Sequence, residues 1–230
     1  MILNINQPYL VLGIGTDIGK TFIVEKILQK YNATKAIKPI ATGFNPSDLS
    51  SDTMRILKVL KDNKYDFEKE IKHFKIDLPS QKYYQLVSPF VFEKPTSPNL
   101  VGDIDYDQLL DFCFSQINFA QQNHLNLIIE SAGGVMTPIN NHKTFLHLAQ
   151  DLKIKIILVS SNYLGAISHT LTAIETITKN NLAIDHIIIN DELSSNQNFF
   201  KNYPDLTFQE ISQTLKNFCD IKISKLKKIF

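Results

Sequence analysis

Arginine is almost absent from this chain: Arg55 is the only one among 24 basic residues. Bidentate phosphate clamps and arginine fingers need guanidinium groups, so such devices are nearly excluded. A phosphate site must therefore use lysine, backbone N–H groups or a metal ion. The net charge of +1 argues against a general nucleic-acid binder, because such proteins carry a clear basic excess.

Cysteines and long apolar runs are also scarce. Cys113 and Cys219 lie in helix-like stretches and form no C-x-x-C pair, which is typical of free thiols in a reducing cytosol. No apolar run approaches the roughly 18 residues of a membrane helix. Residues 1–8 carry neither a basic region nor a cleavage-site pattern, so we expect no secretory signal. These features predict a cytoplasmic protein without membrane contact.

The chain has an ordinary globular composition, with 43 % hydrophobic and 20 % charged residues over 230 positions. This length favours one domain spanning residues 1–230, which buries roughly 70 % or more of its unfolded surface. The highly charged segment 61–82 lacks a core-facing stripe and predicts a solvated helical excursion, with a lid or partner surface as the alternative. The basic tail 222–228 predicts a solvated terminal helix.

Apolar strand patterns alternate with helical patterns along the chain. The alternation predicts an α/β fold with a doubly wound, mostly parallel sheet flanked by helices. Ligands bind beyond the carboxyl ends of the strands in such sheets. The predicted strands are 9–12, 35–38, 125–130, 155–160 and 186–190, with an edge at 86–92, and the predicted helices are 21–30, 51–60, 106–121, 144–152 and 166–179.

A glycine-rich loop joins the first strand to the first helix. Its end, Gly19-Lys20-Thr21, is the end of a Walker A loop, although the first glycine, Gly13, lies one residue earlier than the usual spacing. Glycines allow close approach of the backbone, and the helix N-terminus attracts anions. Lys20 is suited to reach the β- and γ-phosphates, and the Thr21 hydroxyl is suited to ligate Mg²⁺.

A magnesium ion beside a phosphate loop needs carboxylate ligands. Glu130 ends the buried strand pattern LNLIIE and occupies the place of a Walker B carboxylate. Asp52 follows the second strand and is the weaker candidate by sequence pattern alone. Lys38 ends the second strand, and as a loop lysine it is expected to contribute no core packing.

These segments together resemble the dethiobiotin synthetase family, a group of P-loop NTPases. The matches follow the family's order along the chain, which makes the combination specific. The matching segments are the long loop from Gly13 to Thr21, K-P-I-A-T-G at 38–43, S-D at 51–52, P-T-S-P at 95–98, E-S-A-G-G at 130–134, L-G-A-I-S-H at 164–169 and N-D at 190–191.

The resemblance implies a role for each matching position. The catalytic residues are Lys20, Lys38 and Thr16. The Mg²⁺ ligands are Thr21, Asp52 and Glu130. The substrate is contacted by Thr16, Lys38 and Thr42, and by Gly165, Ala166, Ile167 and Ser168 from the partner subunit of a homodimer. ATP is bound by Asp17, Ile18, Gly19, Lys20, Thr21, Phe22, Asp52, Glu130, Ser131, Ala132, Gly133, Asn190 and Asp191.

The resemblance also implies a reaction. One amine of 7,8-diaminononanoate takes up CO₂ as a carbamate, and a carbamate oxygen attacks the γ-phosphate of ATP. The second amine then displaces phosphate and closes the cyclic urea of dethiobiotin, a step of biotin biosynthesis. Phosphoryl transfer of this kind needs positioning and charge stabilisation rather than a protein nucleophile.

Three positions depart from the family pattern. Ser131 replaces a glycine, Asp17 stands where glutamate is frequent, and residues 203–205 stand in place of the strand that completes the nucleotide pocket. Two other functions are alternatives for a chain with this loop. A related P-loop amidoligase would need an ammonia source, for which the chain has no room. A positioning or partition ATPase carries a second lysine early in the loop, which is absent between Gly13 and Lys20.

Overall fold

A computed structural model describes residues 7–191 and 206–225; residues 203–205 lie outside the described residues. The strands are β1 (Pro8–Gly13), β2 (Thr34–Ile37), β3 (Ile40–Thr42), β4 (Phe90–Phe92), β5 (Asn126–Glu130), β6 (Lys155–Ser161), β7 (Ile184–Asn190) and β8 (Ile223–Lys225). The helices are α1 (Lys20–Lys30), α2 (Asp52–Asp62), α3 (Phe67–Phe74), α4 (Tyr106–Gln122), α5 (Phe145–Leu152), α6 (Ala166–Lys179) and α7 (Phe208–Lys216), with 3₁₀ turns at Ser80–Leu86 and Pro98–Leu100.

Six strands form one parallel sheet in the order β2-β5-β1-β6-β7-β8. Its two faces bury alternate residues of each strand, because successive side chains of a strand point to opposite sides. Leu10 and Leu12 of β1 belong to one apolar cluster, and Tyr9 and Val11 belong to the other. Helices therefore cover both faces, and the prediction of a doubly wound α/β fold is confirmed.

A second, two-stranded sheet lies beside the first. The prediction that the second strand stops at Pro39 was incomplete, because the chain resumes as β3 and pairs in parallel with β4. The expected edge at 86–92 is likewise two elements, a 3₁₀ turn and then β4 after Pro89. Proline lacks an N–H group, so it separates pieces of extended chain without preventing a strand on either side.

The charged segment 61–82 is helical as expected, but it is not wholly solvated. It contains α3, on which Phe67 and Glu70 are buried. The Glu70 carboxylate forms an ion pair with the fully buried Lys35 of β2 and accepts a hydrogen bond from Gln116 of α4 at 3.0 Å. A charged residue can be a core contact when it is paired, and a hydrophobicity pattern does not detect this case.

The predicted terminal helix at 222–228 was wrong over its described part. Residues Ile223–Lys225 form β8, which lies parallel to β7 with Ile187 opposite Ile223. Pairing with β8 satisfies backbone groups that β7 would otherwise leave open at the edge of the sheet. Within residues 7–191 and 206–225, no helix combines the length and apolarity that crossing a bilayer requires.

Candidate active site

The glycine-rich loop closes tightly at the carboxyl end of β1. Gly19, which precedes α1, has φ +88°, in the left-handed region that favours glycine. A Cβ atom on Gly13 would lie 2.6 Å from the end of the Ile18 side chain and 3.1 Å from the Gly15 carbonyl oxygen, so a larger residue would require the loop to shift. The Val135 N–H donates to the Gly13 carbonyl at 3.1 Å and ties the loop to the segment after β5.

Lys20 is held inside this loop. Its ammonium donates to the Gly15 carbonyl at 3.0 Å, and the residue is 5 % exposed. Burial, followed by repulsion from the Lys38 ammonium, lowers the pKa of Lys20 to about 8. The loop thus holds a cation in a site that disfavours it, so an anionic group bound there would be stabilised by that charge.

Lys38 lies between two carboxylates opposite the loop. Its ammonium is 2.9 Å from Glu130 Oε1 and also contacts Asp52 Oδ2. Although burial acts against the charge, the two carboxylates raise the pKa of Lys38 above its usual value. The expectation that this lysine contributes nothing to packing was wrong. It is only 7 % exposed, and its ammonium contacts both Asp52 and Glu130.

The same cluster gathers oxygen ligands suited to Mg²⁺. The Thr21 hydroxyl donates to Glu130 Oε1 at 2.6 Å. Burial acts to raise the pKa of Asp52, but the Lys38 ammonium and the Thr21 hydroxyl outweigh it and lower that pKa below its usual value. Glu130 Oε2 is buried and has no hydrogen-bond partner. Two carboxylates and one hydroxyl fit Mg²⁺, which completes its ligand shell with phosphate and water. Among the described residues no three His, Cys, Asp or Glu side chains form a metal cluster by themselves.

These groups open into a cavity of about 850 Å³. That volume suits a ligand of nucleotide size together with a small substrate. Of the residues expected at the site, the cavity is lined by Thr16, Asp17, Gly19, Lys20, Thr21, Phe22, Lys38, Thr42, Asp52, Glu130, Ala132, Gly133 and Asn190.

Sequence comparisons identify the chain's relatives. Residues 7–217 match the family model described as AAA domain. An ATP-dependent dethiobiotin synthetase BioD from Phenylobacterium zucineum (strain HLK1) is 31 % identical over 211 residues, covering 87 % of this chain and 83 % of that protein. The chain belongs to the AAA domain family and to the dethiobiotin synthetase family.

Two further comparisons concern the family and the fold, respectively. A dethiobiotin synthetase BioD from Legionella pneumophila (strain Philadelphia 1) is 28 % identical, with 93 % of this chain and 98 % of that protein covered. A ParA family ATPase from Chlorobium tepidum TLS has a TM-score of 0.52 at 12 % identity, covering 96 % of this chain and 83 % of that one. At that identity the second likeness concerns the fold alone.

Several residues matched to the dethiobiotin synthetase motifs lie outside the cavity lining. The side chain of Ile18 belongs to the core, while its carbonyl accepts a hydrogen bond from the Asn190 amide at 3.2 Å. Asp191 forms an ion pair with Lys225 of β8 at 2.6 Å. Ser131 is buried, and its hydroxyl has no hydrogen-bond partner. These three side chains do not line the cavity.

The segment 165–168 also lies apart from this cavity. Gly165 precedes α6 with φ +97°, and the Tyr163 hydroxyl and His169 Nδ1 lie 2.6 Å apart beside it. The expectation that this segment contacts the substrate from a partner subunit stays a prediction.

Other cavity residues were not assigned to the site from the sequence. Arg55 lines the cavity, although it was noted only as the sole arginine. Thr137, which lies four residues after Gly133, also lines the cavity and accepts a hydrogen bond from the Gly134 N–H at 2.8 Å. The P-T-S-P match at 95–98 could have indicated that this segment lines the cavity. The other lining residues are Pro95, Thr96, Ser97, Pro98 and Pro138.

Proposed function

We propose that this chain is an ATP-dependent dethiobiotin synthetase that converts 7,8-diaminononanoate, CO₂ and ATP into dethiobiotin, ADP and phosphate, working as one domain over residues 1–230. The observation that carries the proposal is the position of Lys38. Its ammonium lies between Asp52 and Glu130, across from the phosphate loop, in a cavity with room for a nucleotide and a substrate. Family membership supplies the substrate class.

The two lysines act on the transferred phosphoryl group by position and charge. The buried ammonium of Lys20 neutralises charge on the ADP side of the transferred phosphoryl group, and Lys38 lies on its other side. A carbamate oxygen forms the new bond to phosphorus as the bond to ADP breaks. The second amine then attacks the carbonyl carbon, phosphate leaves, and the ring closes with release of a proton. No protein nucleophile is needed, because the attacking atoms belong to the substrate.

Thr21, Asp52 and Glu130 would hold Mg²⁺, which when bound neutralises phosphate charge and orients the phosphate oxygens. Lys38 already balances the two carboxylates. Mg²⁺ held by these carboxylates would take over part of this charge balance, and the Lys38 ammonium would then be available to the reacting oxygens. In the free protein, Lys38 orients Glu130 through its contact with Oε1.

The remaining groups bind the two substrates. Thr16 and Thr42 both line the cavity and offer hydroxyls to the diamine or its carbamate. Asn190 lies at the end of β7 and reads the adenine, with Asp191 next to it. Asp17 to Phe22, with Ser131 to Gly133, present backbone groups toward the phosphates.

We infer that two subunits complete the site as a homodimer. Gly165, Ala166, Ile167 and Ser168 of the partner subunit receive the substrate carboxylate at the N-terminal end of α6. Two large apolar side chains next to the relevant segments support this inference. Leu164 adjoins Gly165 and is 46 % exposed, and Met136 adjoins Thr137 of the cavity wall and is 53 % exposed. The free thiols Cys113 and Cys219 favour action in a reducing cytoplasm. The net charge of +1 argues against nucleic acid as a partner, and we propose no membrane contact.

The direct test supplies 7,8-diaminononanoate, ¹³C-bicarbonate, ATP and Mg²⁺, and follows dethiobiotin by mass spectrometry. We expect product heavier by one ¹³C atom, with one ADP released for each molecule formed. Omission of the diamine is the control and should nearly abolish ADP release. ADP release at the same rate with and without the diamine, and no dethiobiotin, would overturn the proposal and favour a substrate-independent ATPase.

A further inference from the structure

Helices α1 and α2 pack against each other, and each carries a residue assigned above to Mg²⁺ within its first two positions. Thr21 is the second residue of α1, and Asp52 is the first residue of α2. The separation of these two ligands therefore depends on how the two helices are held at their N-terminal ends. One turn into each helix, an ion pair connects them: Glu25 of α1 and Arg55 of α2.

The contact between Arg55 and Glu25 is a two-point fork. Arg55 Nε donates to Glu25 Oε1 at 3.0 Å, and Arg55 Nη2 donates to Glu25 Oε2. The Glu25 side chain is 16 % exposed and that of Arg55 is 34 % exposed, so the pair is partly shielded from water. Bidentate guanidinium–carboxylate contacts fix distance and orientation together, which a lysine cannot do.

The placement of the pair follows from helical geometry. Glu25 is four residues after Thr21, and Arg55 is three residues after Asp52, so each member of the pair lies on the same side of its helix as the ligand. A change in the Arg55–Glu25 contact is therefore transmitted directly to the spacing of Asp52 and Thr21.

We propose that Arg55 and Glu25 are a positioning pair that sets the spacing of Asp52 and Thr21 and thereby the affinity for Mg²⁺ together with nucleotide. The inference rests on the proposed function of the site. It gives the chain's single arginine a role in which Nε and Nη2 both donate to Glu25.

Other contacts keep the helices together when the pair is removed. At the far end of α2 the Asn63 amide donates to the Leu28 carbonyl of α1 at 2.7 Å. Between the two ends, Ile56 and Leu60 of α2 are fully buried in the same apolar cluster as Ile27 of α1. Variants of Arg55 or Glu25 are therefore expected to fold, with a local loss of order at the cavity end.

The test measures binding of a non-hydrolysable ATP analogue by calorimetry, once with Mg²⁺ and once with EDTA. The variants are Glu25→Gln, Arg55→Gln, Arg55→Lys and the exchange Glu25→Arg with Arg55→Glu. We expect Glu25→Gln and Arg55→Gln each to weaken binding in Mg²⁺ about tenfold, as removal of a residue behind a metal ligand does, with less than about a twofold change in EDTA. The exchange should recover most of the loss, while Arg55→Lys should not.

Glu175→Gln is the matched control, because it removes the carboxylate of the exposed pair between Glu175 and Lys179 on α6. It should leave both affinities unchanged. Equal weakening in Mg²⁺ and EDTA would overturn the inference, since Arg55 would then contact the nucleotide directly. Unchanged binding in every variant would overturn it as well. The assay contains no diamine, so a failure to make dethiobiotin would reject the proposed function without affecting this result.

Discussion

The ammonium of Lys38 lies 2.9 Å from the fully buried carboxylate of Glu130 and makes a second contact with Asp52. Glu130 Oε1 also accepts a hydrogen bond from the Thr21 hydroxyl, and Glu130 Oε2 has no hydrogen-bond partner. One lysine thus balances a carboxylate that water does not reach. Removal of Lys38 would leave the buried Glu130 without this cationic contact, and the effect of that loss can be measured.

Replacing Lys38 by Met should reduce dethiobiotin formation about 100- to 1,000-fold, as removal of a group that stabilises transition-state charge does. It should also destabilise the protein in EDTA by about 3 kcal/mol, because Glu130 loses its buried counter-charge. Millimolar Mg²⁺ should restore more stability to the variant than to the wild type, since the metal replaces the missing cation. Turnover close to wild type, or equal effects of Mg²⁺ on both proteins, would contradict the assignment.

Replacing Ser131 by Ala should increase the free energy of unfolding by about 1 kcal/mol, because the buried hydroxyl of Ser131 has no hydrogen-bond partner. Turnover should be preserved. Urea unfolding and steady-state kinetics measure the two effects. Ser160→Ala is the matched comparison and should destabilise, since Ser160 is equally buried but its hydroxyl lies 2.7 Å from that of Thr170. A loss of activity in Ser131→Ala would instead assign this hydroxyl a role in nucleotide binding.

Replacing Lys35 by Met should lower the free energy of unfolding by about 3 kcal/mol, because Glu70 would remain buried without a counter-charge. Burial lowers the pKa of Lys35, and Glu70 opposes this shift by favouring the charged ammonium. The double replacement of Lys35 and Glu70 by Met should recover most of the loss. Chemical denaturation is the measurement, with Lys179→Met as the exposed control, expected to change stability by less than about 0.5 kcal/mol. Additive losses in the double variant would show that the two side chains act independently.

The two cysteines should react at very different rates with iodoacetamide. Burial raises the pKa of Cys113 to about 12, so at pH 8 roughly one molecule in 10,000 carries the reactive thiolate. Cys219 is partly exposed and should be labelled first. In Cys219→Ser the native protein should remain unlabelled until it is denatured, and labelling should rise as the pH approaches 12. Rapid native labelling of Cys113 would mean that α4 opens on the time scale of the reaction. Peptide mass spectrometry distinguishes the two sites.

Sequence patterns predicted most of the main sheet because its strands are continuously apolar and its helices have clear ends. The bounds of α6 agree with the prediction, and those of α4 differ by one residue. Patterns were weaker where polar side chains are buried. The helix within 61–82 was expected to be solvated, yet Glu70 is a core residue. The tail at 222–228 was expected to be helical, and its described part is β8.

The sequence by itself determined the phosphate loop, the order of the motifs and the α/β class, because these depend on local spacing and on alternation of apolar runs. Only the tertiary structure decided that Lys38 lies between Asp52 and Glu130, and that Arg55 is turned toward Glu25. Those relationships join residues that lie 14, 92 and 30 positions apart in the chain. The physical reason is that their geometry depends on how helices and strands pack, and burial then determines which charges must be paired.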